Sequence, residues 1–173
     1  VESVESALEL VRTVPDFPEP GVLFRDLSPL FASPVAFGTV VDALAATIAS
    51  DVDVIAPVEA RGFLFGGALG VALGRALVPI RKPGKLPVVA HRVDYALEYG
   101  TATLELPADV IRPGMKVAVV DDVLATGGTV AATCELLERA GAEVVSISVV
   151  MELTALAGRK RLAGRAVHSL QEV

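Results

Sequence analysis

Short, mostly apolar runs alternate along this chain with longer segments of helical character. Val54 to Val58, Leu77 to Ile80, Val117 to Val120 and Val144 to Val150 are rich in Val and Ile and read as buried strands. Gly62 to Gly74 is a helix of small and apolar residues, and Thr129 to Ala140 is a second helix that Gly141 is placed to end. Ser33 followed by Pro34 is a helix start, a capping hydroxyl before a first-turn proline, and that helix is predicted to run to about Ala49. Ser3 to Val14 reads as a first helix with Ser6 and Glu9 as a capping box, and Pro18, Pro20 and Gly21 make Asp16 to Gly21 a loop. Val88 to Glu105 holds two extended segments around Tyr99 and Gly100, a hairpin or outlying flap. Pro113 and Gly114 form a turn, Leu156 to Leu162 a short helix, and a last strand falls near Val167. Strands alternating with helices predict an α/β fold: a mainly parallel, twisted sheet flanked by helices.

Composition narrows this picture. The 173 residues suit one domain, residues 1 to 173, with no interdomain linker. Hydrophobic residues make up 53% of the chain but aromatics only 5%, so the core is built of Ala, Val and Leu, which suits close packing of helix on sheet. Gly62 to Gly74, bounded by Arg61 and Arg75, is too short for a bilayer span, which takes roughly 20 residues. A net charge of −6 weighs against nonspecific nucleic-acid or anionic-membrane partners. Cys134, the one cysteine, has no intrachain partner for a disulfide, as in a reducing cytoplasm. Glu2, Glu5 and Glu9 break up any signal-peptide pattern, and Val1 in place of Met suggests a processed start.

The segment Val117-Ala-Val-Val-Asp-Asp-Val-Leu-Ala-Thr-Gly-Gly-Thr129 carries the most chemistry. An apolar strand is expected to stop at Asp121 and Asp122, and a glycine-containing loop then leads into a helix. Ligands of open parallel sheets bind just beyond the carboxyl ends of strands. Gly127 and Gly128 let backbone N–H groups turn inward, the helix adds its free N–H groups and positive dipole end, and Thr126 and Thr129 add hydroxyls. These groups suit a phosphate dianion. Asp121 and Asp122 accept hydrogen bonds, so they suit ribose hydroxyls or a bound cation. The bland alternative is a tight turn with solvated acids. A dinucleotide fingerprint Gly-x-Gly-x-x-Gly and a Walker Gly-Lys-Ser/Thr are both absent at this loop, and a receiver domain would carry its aspartates near the first strand.

This segment resembles the phosphoribosyl diphosphate (PRPP) motif of the type I phosphoribosyltransferases. The resemblance implies that Asp121 and Asp122 hold the ribose hydroxyls and that Ala125, Thr126, Gly127, Gly128 and Thr129 bind the terminal phosphate. Asp16-Phe-Pro-Glu-Pro-Gly-Val-Leu-Phe-Arg-Asp26, Glu59-Ala-Arg-Gly-Phe-Leu-Phe-Gly66, Arg81-Lys-Pro-Gly-Lys-Leu-Pro87 and Leu97-Glu-Tyr-Gly100 are similar, in the same order, to the adenine phosphoribosyltransferase family. That likeness implies an N-terminal base-binding hood over about residues 1–33 and a flexible flap over about 83–106. It places adenine against Phe24, with Leu124 on the other side and the main chain of Leu23 and Arg25 on its edge. It places the diphosphate at Glu59, Ala60 and Arg61, with an unusual peptide geometry around Glu59–Ala60, and at Arg81, Lys82 and Lys85. Arg81 in such enzymes reaches toward a neighbouring subunit's site. Glu98 would manage the adenine proton and Tyr99 would close the flap. Mg²⁺ would be held through PRPP and water, with no direct protein ligand, and the enzyme would be a homodimer.

The expected reaction is transfer of the phosphoribosyl group of PRPP to adenine, giving AMP and diphosphate, a step of purine salvage. Val88-Val-Ala-His-Arg-Val departs from the family's usual flap stretch, so His91 receives no catalytic role. His168 is assigned to structure and Cys134 to packing. Two alternatives remain at this level: a phosphoribosyltransferase for hypoxanthine, guanine or xanthine, and a PRPP-sensing regulator that keeps the fold without catalysis. The acidic net charge weighs against the second.

Overall fold

The computed structural model describes residues 3–97 and 100–173. By internal contacts the chain forms two compact units, Val1–Ala43 and Leu44–Val173.

In the N-terminal unit, α1 spans only Val4–Leu8, and its cap is Ser3, whose side chain accepts from the Ser6 N–H. The expected helix to Val14 and its Ser6/Glu9 capping box are therefore replaced. Beyond Leu10 the chain turns extended and forms β1 (Arg12–Pro15), antiparallel to β2 (Leu23–Asp26), with Thr13 opposite Arg25 and Val14 opposite Phe24. The β-branched Thr13 and Val14 lose rotamer freedom in a helix and gain cross-strand partners here. An Arg12–Asp26 ion pair at 2.5 Å closes the hairpin. α2 (Ser28–Phe31) follows, then α3 (Pro34–Ala45), where Ser33 Oγ accepts from the Ala36 N–H as the Ser-Pro start predicts. α3 stops short of Ala49: the Thr47 hydroxyl donates to the Leu44 carbonyl at 2.7 Å, a local bond that competes with the helical ladder.

The larger unit is built on a five-stranded parallel sheet. Its strands are β3 (Val54–Pro57), β4 (Ala76–Leu77), β7 (Lys116–Leu124), β8 (Glu143–Glu152) and β9 (Val167–Glu172), in the order β4-β3-β7-β8-β9. β5 (Val89–Ala96) and β6 (Thr101–Pro107) form a separate antiparallel ribbon, the expected hairpin. α4 (Gly62–Leu73) follows β3 and α5 (Gly128–Arg139) follows β7. The core joins Val54, Ala56, Val117, Val119, Ile147 and Val149 of the sheet to Val130, Leu136 and Leu137 of α5. Cys134 is fully buried there, and burial pushes its thiol up to about 11, so it stays protonated and inert. β4 is shorter than the run Leu77 to Ile80, although Ile80 still bridges to Val58; Pro79 has no N–H to extend a ladder.

Two further differences bear on the site. β7 does not stop at Val120: it continues through both aspartates to Leu124, because β8 keeps pairing, Asp121 with Val149 and Val123 with Met151. Ladder bonds to a β-branched neighbour outweigh the poor strand propensity of aspartate. The expected helix from Leu156 to Leu162 is split into two 3₁₀ turns, Thr154–Leu156 and Gly158–Leu162, by Ala157 at φ 50°.

Candidate functional site

β7 and the turn into α5 bound one solvent-open hollow. Its walls are Asp121, Val123, Leu124, Ala125, Thr126, Gly127, Gly128, Thr129 and Val130. The five loop residues singled out from the sequence thus line one concavity together with Asp121 and Leu124. Gly127 sits at φ 81° as the residue before α5, a left-handed conformation that suits glycine and turns the loop toward the helix start.

That loop is held in place from behind by a residue the sequence reading missed. A Cβ on Gly158 would lie 2.2 Å from the Ala125 carbonyl oxygen and 2.9 Å from the Gly127 nitrogen. Backbone is thus seated directly on backbone, a contact only glycine permits. Arg161 and Tyr95 also reach the loop unannounced by any local pattern. A Cβ on Gly128 would stand 3.3 Å from Arg161 Nη1 and 3.4 Å from Tyr95 Cδ2, and the Tyr95 hydroxyl is 3.2 Å from Thr129 Oγ1.

Both aspartates are buried within the sheet. Asp121 points toward the start of α4, where a Cβ on Gly62 would come within 3.0 Å of its Oδ1. Burial, then the nearby Asp122 carboxylate, push the Asp121 carboxyl well above its usual range, although Oδ1 accepts from the Asp122 N–H at 2.9 Å. Asp122 accepts a hydrogen bond from Arg61 Nε, so the residue just before α4 and the strand-end acid are one ion pair.

Glu59, Ala60 and Arg61 follow β3. The Glu59–Ala60 peptide is cis, the unusual geometry expected there. The Glu59 carboxylate accepts from the Lys82 N–H at 2.8 Å and from Arg81 Nε at 3.1 Å. Burial alone would raise its pKa, but those bonds and charges more than offset it and hold the carboxyl below the usual range. The Arg81 guanidinium also lies over the Phe63 ring, 5.6 Å from its centroid. Three of the expected diphosphate residues, Glu59, Arg81 and Lys82, therefore form one cluster, while Lys85 is exposed further along the same segment.

In the N-terminal unit, Leu23, Phe24 and Arg25 form consecutive positions of β2, and the Phe24 and Phe17 rings meet edge to face, 5.0 Å apart at 70°. Glu98 and Tyr99 lie outside the described residues. His91 is on β5, and His168 sits in the β9 ladder opposite Ser148. Among the described residues, no group of three or more His, Cys, Asp or Glu is placed to hold a metal ion, and no helix is long and apolar enough to cross a membrane.

Comparison with known proteins matches this geometry to a family. The phosphoribosyl transferase domain matches residues 34–169. A protein of Saccharopolyspora erythraea named adenine phosphoribosyltransferase is 59% identical over 167 residues, covering 96% of this chain and 91% of that one. The crystal structure of adenine phosphoribosyltransferase from Thermoanaerobacter pseudethanolicus superposes with a TM-score of 0.95 at 44% identity, covering 99% of this chain and 100% of the other. The Saccharomyces cerevisiae enzyme, crystallised with D-2,5-dideoxy-2,5-imino-altritol 1,6-bisphosphate and adenine, gives 0.91 at 37% identity, with 96% and 97% covered. The chain belongs to the phosphoribosyltransferase family and, within it, to the adenine phosphoribosyltransferases.

Proposed function

We propose that this enzyme transfers the phosphoribosyl group of PRPP to adenine, releasing diphosphate and forming AMP, at the hollow between β7 and α5. The observation that carries this reading is the loop itself: residues 125–129 open onto one concavity at the start of α5, directly beyond a strand that carries two buried carboxylates, Asp121 and Asp122, near its C-terminal end. Helix N–H groups and the Thr126 and Thr129 hydroxyls are donors, which a terminal phosphate requires. Asp121 and Asp122 would take the ribose hydroxyls.

Diphosphate leaves as a ring nitrogen of adenine bonds to the anomeric carbon from the opposite face, and the adenine proton is lost. Positive character builds on the sugar and negative charge on the departing group. Arg61, Arg81, Lys82 and Lys85 would stabilise that charge, with Glu59 fixing Arg81 and the Lys82 main chain in place. Glu98 would receive the adenine proton, and Tyr99 would help exclude water over the site. Phe24 would stack on the base, with the main chain of Leu23 and Arg25 along its edge. In the β1–β2 ladder Pro15 stands opposite Leu23 and has no N–H to give it, which supports a Leu23 carbonyl available to the exocyclic amine.

Asp121 and Asp122 are oxygen donors of the kind a Mg²⁺ ion accepts, and the ion would be carried mainly by substrate oxygens and water. When bound, Mg²⁺ would neutralise charge on the diphosphate. A homodimer in the cytoplasm completes the proposal. Leu64 and Val71, seven positions apart on α4, are 50% and 86% exposed and offer an apolar face to a second copy.

A panel of purine bases with PRPP and Mg²⁺, followed by diphosphate release, tests the reaction. Adenine should be used in strong preference. Faster turnover of hypoxanthine or guanine would assign a different base.

A further inference from the structure

Tyr95 belongs to the β5–β6 hairpin, yet its hydroxyl meets the loop proposed to hold phosphate, 3.2 Å from Thr129 Oγ1. The approach is broad: the Tyr95 ring passes beside Gly128, and Arg139 Nη1 of α5 donates to the Arg92 carbonyl of β5 at 3.1 Å. β5 is thus laid along α5, and Tyr95 is its contact at the end where the ligand phosphate would sit.

The donors and acceptors decide what that contact does. A phosphate dianion only accepts hydrogen bonds. Thr129 has one hydroxyl proton, and if it gives that proton to Tyr95 it has none for phosphate. Tyr95 is able to donate instead, which leaves the Thr129 proton for the ligand. The two bonds then run in one direction, Tyr95 to Thr129 to phosphate, and each polarises the next. Filling the loop would in turn strengthen the hold of α5 on the hairpin.

We propose that Tyr95 is a positioning residue for phosphate, donating to Thr129 so that Thr129 donates to the terminal phosphate of PRPP or AMP. This rests on the reading of residues 125–129 as the phosphate cradle.

A double-mutant cycle with Tyr95→Phe and Thr129→Val tests it, reading AMP and adenosine dissociation constants by titration calorimetry, the PRPP KM, and each variant's melting temperature. Tyr95→Phe should weaken AMP binding and raise the PRPP KM about three- to tenfold, as for loss of one hydrogen bond, with adenosine binding unchanged. In the Thr129→Val background the same change should add less than about twofold, because the two side chains act as one unit. Equal effects of Tyr95→Phe in both backgrounds would overturn the proposal, as would adenosine binding weakened as much as AMP binding. If Thr129→Val alone leaves AMP binding intact, the cradle reading itself fails, and the Tyr95 proposal falls with it.

Discussion

Arg61 donates through Nε to the Asp122 carboxylate, linking the turn after β3 to the end of β7. The Asp122 side chain is only 8% exposed and that of Arg61 is 40% exposed, so a partly solvent-facing cation compensates a buried anion. The proposed chemistry assigns these two groups to opposite ends of PRPP, Asp122 to the ribose and Arg61 to the diphosphate. A ligand that supplies hydroxyls to one and phosphate oxygens to the other can replace the pair while leaving both groups with hydrogen-bond partners.

Asp122→Asn keeps the shape and removes the charge. The PRPP KM should rise about 10- to 100-fold, the range expected for losing one charged hydrogen bond, with a smaller change in the adenine KM. Steady-state kinetics with each substrate varied in turn decides this, and unchanged PRPP kinetics would contradict the ribose assignment.

Asp121 leads to a statement about pH. Its carboxyl is raised above the ordinary 3.8, so between that value and its native value the folded chain binds more protons than the unfolded one. Stability should therefore fall as pH rises through that window. Asp121→Asn, which stays neutral and still accepts from the Asp122 N–H, should flatten this fall and raise the melting temperature at neutral pH while reducing PRPP use. Thermal unfolding of both proteins from about pH 5 to 8 shows it; a lower melting temperature for the variant at every pH would refute it.

Gly158→Ala probes how the loop is held. The new methyl would meet the Ala125 carbonyl oxygen at 2.2 Å, and both partners are backbone. Destabilisation of about 1–3 kcal/mol is expected, with AMP affinity reduced by about tenfold or more. Gly38→Ala in α3, where a Cβ meets nothing within 4 Å, is the matched control and should be neutral or stabilising. Denaturant titration and AMP binding measure both.

Phe24→Ala should raise the adenine KM by about 5- to 150-fold, the range of about 1–3 kcal/mol for a base on an aromatic platform, and leave the PRPP KM nearly unchanged. An unaltered adenine KM would place the stacking surface elsewhere.

The sheet was legible in the sequence because its strands are covered on both faces and so are nearly continuous in Val, Ile and Ala, as at Val117 to Val120. The phosphate loop was legible because its signals are local: acids, glycines and threonines side by side. Gly158, Arg161 and Tyr95 were not, since each reaches Gly127, Gly128 or Thr129 from about thirty residues away through tertiary packing alone. The first strand was misread for a related reason. Ser3 to Leu8 is helical, but the pairing of Arg12 to Pro15 with Leu23 to Asp26 lies across a proline-rich loop that hides the hairpin. The reach of β7 to Leu124 depends on β8, which the aspartates themselves do not announce.

A crystal structure of this chain with AMP tests the phosphate cradle most directly. The expected result is phosphate oxygens within hydrogen-bond distance of main-chain N–H groups of residues 126–129, with ribose hydroxyls on Asp121 and Asp122. A phosphate bound away from this loop, or a loop that keeps its shape and stays empty at saturating AMP, would contradict it.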